Sequence, residues 1–245
     1  MRSIGSRRLA TRRRVAVALA LSLSVAFLRP PRTAATGDEP EYTWTFHLRG
    51  SSFETAGRGT FMILEPGYGL ALEGEPDGTR TRVEVTVLPE TVTINGRELR
   101  VVQEREEEEG VLVEVTRSYV VRCRETGAFF CGGQDIDVYE NGEIVSHAGS
   151  WRAGANGARG GLLMPGLPIL GSRYYQELVP GVSLDRAEIV DVRAVVETPA
   201  GRFERCLRTR ETTPLDPGEE TFKTYAPGVG LVEDGELKLV SFGYR

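Results

Sequence analysis

Apolar residues recur at every second position through much of this chain, and turn-forming dipeptides punctuate the pattern. Successive strand side chains point to opposite faces, so a period of two describes strands with one covered face and one wet face. Within 82–88, Val83, Val85 and Val87 share a face opposed by Glu84 and Thr86. Val111, Val113 and Val115 repeat the device, as do Trp44, Phe46 and Leu48 within 42–48. Asn95-Gly96, Asn141-Gly142 and Asp234-Gly235 each lie between such runs, and these dipeptides tolerate the positive φ of two-residue hairpins. Pro199-Ala200-Gly201 joins two further runs through a slightly longer turn. No stretch of a dozen residues beyond position 35 carries a helical stripe, which argues against a parallel sheet with crossover helices. The expected fold is mainly β: an antiparallel meander forming a curved sheet, an open barrel or a sandwich.

The first 35 residues have a different character. Six arginines between Arg2 and Arg14 precede the apolar run 15–28, and small residues follow at Thr33-Ala34-Ala35. A basic head, a short apolar core and a small-residue exit describe a signal peptide. The apolar run is short for a bilayer span, which needs ~20 residues, although an uncleaved anchor is the competing reading. Residues 36–245 are then expected to form a single β-rich extracytoplasmic domain, secreted or held in the periplasm or cell envelope, with no membrane span once the leader is cleaved. The whole chain carries a formal charge of −5, and residues 1–35 contain eight Arg and no acid, so the remainder is near −13. So acidic a domain repels phosphate backbones, and nucleic acid is not an expected partner.

Three cysteines, Cys123, Cys131 and Cys206, would meet an oxidising compartment. If the intervening hairpin centres on Gly127, Cys123 and Cys131 face each other and a disulfide is predicted, with Cys206 left as a small buried hydrophobe. A change of register by one residue would abolish that pairing.

Motifs for chemistry are sparse. His47 and His147 have no metal-ligand spacing to any cysteine, and Gly-x-Ser-x-Gly is absent. Asp135 and Asp137 alternate with Ile136 and Val138, so both acids share one strand face. That face either contributes oxygens to a Ca²⁺ site or is simply solvated. Glu177, Asp185 and Glu188 form a second acidic group, readable as an acid–base pair or as a turn pinned by Arg186. The segment 149–171 holds seven glycines around Leu162-Leu163-Met164. It reads as a lid over an apolar cavity with Trp151 and Tyr175 nearby, or as a loop capping the core. The run 104–109, with five Glu and one Arg, reads as a solvated strand end.

An ordered series of short motifs adds a resemblance. It runs Tyr174-Tyr175-Gln176-Glu177, Pro180-Gly181-Val182, Asp185-Arg186-Ala187-Glu188, then Thr198-Pro199-Ala200-Gly201-Arg202-Phe203, Glu211-Thr212-Thr213-Pro214-Leu215 and Tyr225-Ala226-Pro227-Gly228-Val229-Gly230-Leu231-Val232. With Asp135-Ile136-Asp137-Val138-Tyr139, Gly149-Ser150-Trp151 and Met164-Pro165, it resembles a family of secreted bacterial proteins described only as hypothetical. The resemblance spans residues 97–240 and implies an exported location but no activity. Relatives often carry Glu where this chain has Gln134, at the end of Phe130-Cys131-Gly132-Gly133-Gln134. The leading expectation is a non-enzymatic domain of the envelope binding a small apolar ligand or a protein partner. A glycan hydrolase using Glu177 with Asp185 or Glu188, and a structural or adhesive module, are the alternatives.

Overall fold

A computed structural model describes residues 41–245. The expected leader and its cleavage site lie outside the described residues. Three short strands come first: β1 (Phe53–Glu54), β2 (Gly57–Arg58) and β3 (Ile63–Leu64). A first meander follows through β4 (Tyr68–Gly74), β5 (Thr81–Ile94), β6 (Arg97–Glu108), β7 (Val111–Cys123), β8 (Phe129–Glu140) and β9 (Glu143–Ser146). Short strands then cross the glycine-rich region: β10 (Trp151–Arg152), β11 (Arg159–Gly160), β12 (Leu162–Met164), β13 (Arg173–Tyr175) and β14 (Glu177–Leu178). A second meander closes the chain with β15 (Arg186–Thr198), β16 (Gly201–Thr213), β17 (Asp216–Ala226), β18 (Gly230–Asp234) and β19 (Leu237–Tyr244).

The main sheet runs β10-β8-β7-β6-β5-β4-β19-β18-β17-β16-β15-β13, and every strand pair in it is antiparallel. Two meanders are thus welded by the last strand returning beside β4. The sheet does not close into a barrel, and among the described residues the helical content is one 3₁₀ turn at Pro76–Gly78. The mainly-β reading stands, and the open curved sheet is the form it takes.

Local chemistry sets the turns. Ile94 pairs with Arg97, with Asn95 and Gly96 at φ 51° and 71°; Glu140 pairs with Glu143 around Asn141 and Gly142 at 54° and 83°. Both are the left-handed pairs that two-residue hairpins require. The third turn is displaced: Asp234 pairs with Leu237, so the loop is Gly235-Glu236 and Asp234 stays in the ladder. Segment 42–48 is not a regular strand. It holds only one bridge, Thr43 with Tyr174, while Phe46 and Leu48 pack on the sheet and Trp44 is exposed.

The two faces of the sheet bury separate apolar clusters. Val83, Val85, Val102, Val120, Cys131, Leu207 and Leu239 belong to the larger one. Leu99, Val101, Val121, Cys123 and Phe130 belong to a smaller one on the opposite face, covered by Phe46, Leu48 and Phe53. The predicted disulfide is corrected here. The β7–β8 hairpin pairs Arg122 with Phe129 and Val120 with Cys131, and the Cys123 N–H donates to Ala128 O at 2.8 Å. Its turn centres before Gly127, so Cys123 stands opposite Ala128, three positions from Cys131. An odd offset puts the thiols on opposite faces, and all three cysteines are free and buried.

The glycine-rich segment is a seam. Its β10 and β12 pair with β8, while β11 pairs with β14 at Gly160–Glu177 and Arg159–Leu178. The segment therefore fills the gap between the two edges of the open sheet. A Cβ on Gly160 would lie 2.0 Å from Cys131 O, and one on Gly161 would lie 2.4 Å from Tyr175 O. Backbone presses on both sides, and only glycine fits there.

Candidate functional site

Lys223 lies on the inner face of β17, where its cross-strand neighbours are Thr209 on β16 and Asp234 on β18. Its Nζ sits 3.3 Å from Asp234 Oδ2 and 3.3 Å from Glu211 Oε2. Glu104 and Glu106 face the same interior and are only 5% and 4% exposed. This corrects the solvated reading of 104–109 for those two residues, while Glu109 does sit exposed in the turn after the strand. Residues 104–108 form the C-terminal end of β6, and alternation sends Glu104 and Glu106 inward, toward a cation 119 positions downstream of Glu104 in the chain. Gln176 Nε2 donates to Glu211 Oε1 at 3.1 Å, linking this cluster to the seam.

At the seam, the fully buried Glu177 lies beside the buried Asp185, close enough for each carboxyl to shift the other. The Ser183 hydroxyl donates to Glu177 Oε1, and the Gln176 N–H donates to Asp185 O at 2.8 Å. The Trp151 indole lies against the Glu177 carboxyl, close enough to favour its charge but outside hydrogen-bond geometry. Burial, and then the Asp185 charge, push the Glu177 carboxyl well above the usual carboxylate range. Two buried carboxyls side by side resist carrying two charges, and Glu177 is the one whose burial most disfavours ionisation. Asp185 is itself raised to about 6, by burial. Burial likewise raises Glu104 well above its ordinary value and Asp234 to about 6. Burial opposes the charge on Lys223, but Asp234 and Glu211 outweigh it and hold the ammonium protonated.

The other expected residues are placed elsewhere. Glu188 is three residues from Asp185 and faces the opposite side of β15, where Arg173 at 2.7 Å and Arg210 at 2.5 Å pair with it. Burial works against its charge, yet the two arginines hold its carboxyl below the usual range. Asp135 and Asp137 do share a face, as the alternation requires. Arg152 grips Asp135 with two bonds of 2.7 and 2.8 Å, and the Tyr119 hydroxyl donates to it at 2.6 Å. Asp137 meets Arg117 at 3.1 Å and His147 Nδ1 at 2.8 Å. Both acids thus pair with guanidinium groups, and the described residues contain no cluster of three metal-ligating side chains. Trp151, Leu163 and Met164 are buried in the larger cluster, and Leu162 touches both clusters. Tyr175 stacks edge-on to Tyr42, with ring centroids 6.0 Å apart. Gln134 is fully buried beside Trp151, its Nε2 donating to Gly149 O at 3.1 Å.

Two cavities accompany these groups. One, of about 60 Å³, lies among Phe61, Met62, Val85, Val102 and Leu231, with Lys223 and Tyr225 at its polar end. The other, of about 290 Å³, lies on the opposite face between β5–β8 and the covering segments that carry Phe46, Leu48 and Ala153. Leu99, Val121 and Phe130 form its floor, and Ile94, Asn95 and Arg97 its rim. Sequence reading missed this site because Phe46 and Leu48 arrive from an irregular segment with no ladder partner at those positions.

The fold and these features define a mainly-β protein with a buried polar network on one face and a cavity of about 290 Å³ on the other. No family model and no curated protein matches the chain. A solved structure named as a putative lipoprotein from Parabacteroides distasonis is similar at 14% identity, over 76% of this chain and 100% of that one. Its TM-score of 0.37 is too low to carry an argument about fold or function. Among the described residues, no helix is long and apolar enough to cross a membrane.

Proposed function

We propose that this is an exported, non-enzymatic β domain of the bacterial envelope that binds a small apolar ligand. The cavity of about 290 Å³ behind Phe46 and Leu48 carries the reading. Ligand sites are preformed concavities of ~300 Å³ or more, lined mainly by apolar and aromatic groups with a few polar ones at fixed places. The basic and apolar leader-like start of the sequence supports export, and the resemblance to secreted proteins across residues 97–240 supports the same address.

The chemistry available for glycan hydrolysis points the other way. A glycosidase needs its carboxyls ~5–10 Å apart across an open cleft. Glu177 and Asp185 are buried side by side rather than placed across an open cleft, and Glu188 is on the other face in a double ion pair.

Native mass spectrometry of the mature protein, purified gently from the exported fraction of its own host, tests the reading. A discrete excess mass lost on organic extraction is the expected result. A clean apo mass, with no binding of alkyl probes added afterwards, would overturn it.

A further inference from the structure

The larger cavity has a chemical asymmetry that narrows its ligand. Its floor is Leu99, Val121 and Phe130, and its cover is Phe46 and Leu48, all apolar. Its rim carries one formal charge, the guanidinium of Arg97 at the start of β6. Arg97 is exposed, and its guanidinium carbon stacks 3.6 Å from the centroid of the Phe53 ring. Stacking uses the flat face of a guanidinium and leaves the donor edge free. Among the described residues, that edge makes no hydrogen bond or ion pair. Nearby carboxylates are committed elsewhere. Glu54 is paired with Arg122 and Arg124, and Glu98 alternates to the other face, where Thr91 donates to it at 2.7 Å. Asn95, across the hairpin turn, is fixed at the same rim by its donation to Ala153 O at 2.7 Å.

We propose that this cavity takes a single alkyl chain ending in a carboxylate, with the tail on Leu99, Val121 and Phe130 and the head on Arg97. The inference rests on the ligand-binding reading above and specifies its ligand class. A methylene fills about the volume of one liquid water, ~30 Å³, so about 290 Å³ accommodates roughly eight to ten carbons. A carboxylate matches the two parallel N–H donors of a guanidinium edge, a geometry a hydroxyl cannot satisfy.

Calorimetric titration of the delipidated mature protein with decanoate, decanol and butyrate tests this. Decanoate is expected to bind at least tenfold tighter than decanol, and butyrate not to bind. Arg97→Gln is expected to abolish the preference for decanoate over decanol, and Arg97→Lys to retain part of it, since Lys keeps the charge but not the fork. Ile94→Trp fills the rim and is expected to weaken both ten-carbon probes together. Arg97 is exposed, so its variants should keep the wild-type circular dichroism, which is checked alongside. Equal affinity for decanoate and decanol in the wild type, or an unchanged preference in Arg97→Gln, overturns the headgroup assignment while leaving the cavity reading intact. Absence of binding by both ten-carbon probes overturns the ligand-binding reading itself.

Discussion

Lys223 is the residue on which the inner polar network depends. Its ammonium neutralises Asp234 and Glu211 directly and tempers the repulsion around Glu104. Removing one partner of a buried ion pair leaves an uncompensated charge and costs ~3–5 kcal/mol. Lys223→Met should therefore lose about that much stability at pH 7, read as a lower denaturant midpoint at unchanged m-value. Because burial already favours the neutral acids, the loss should shrink at pH 4, where protonation does the work of the missing lysine. Glu177 sets up the opposite case. Glu177→Gln keeps an acceptor for Ser183 and removes a carboxyl whose charge burial and the neighbouring Asp185 both disfavour. This variant should match or exceed the wild-type melting temperature at pH 7 and above; a large destabilisation there would show that Glu177 is charged in the fold.

Elements decide which residues meet, through register and close approach. The β7–β8 hairpin is a direct example, since moving its turn centre separates Cys123 from Cys131 onto opposite faces. Alkylation followed by intact-mass analysis should count three free thiols after denaturation without reductant. In the folded protein the same thiols should be protected, because all three are buried. The seam is the second example. Gly160→Ala would drive a methyl to 2.0 Å from Cys131 O, a backbone atom that cannot swing aside. It should cost several kcal/mol or abolish folding, since the seam holds both sheet edges. Gly218→Ala is the control: the nearest atom to its Cβ is an Asp216 side-chain oxygen at 3.8 Å, and its melting temperature should barely move.

For the molecule as a whole, the buried acids set the pH dependence of stability. Glu104, Glu177, Asp185 and Asp234 all have carboxyls raised by burial in the fold, the last two to about 6. The native state then holds protons that the unfolded chain has released above pH ~4. Unfolding stability falls with rising pH wherever the native state binds more protons. Asp185 and Asp234 thus contribute most below their unfolded values and lose that contribution as pH climbs through about 6, and Glu104 and Glu177 act in the same direction. Asp135, Glu84 and Glu188 are held low by arginine partners and work in the other direction, losing their contribution only as pH falls through their depressed values. The melting temperature should therefore peak on the mildly acidic side and decline between pH 5 and 7. A profile that rises steadily to pH 7 would contradict the upward shift of these buried carboxyls.

Strands, hairpin turns and the class of fold were determined by the sequence, because their causes are local. Alternation at 82–88 and left-handed pairs such as Asn95-Gly96 act over a few residues and need no distant partner. What alternation cannot say is which face will be covered, or by what. Glu104 and Glu106 read as a wet strand end until the second meander curls Lys223 over them from the far end of the chain. Asp234 read as a turn residue until the loop slipped one place and turned it inward, beside that same lysine. The cavity behind Phe46 and Leu48 likewise needs an irregular segment laid across four strands. Period two fixes two faces for every strand, while register and long-range closure assign each face to water, apolar core or buried charge; only the tertiary structure made that assignment.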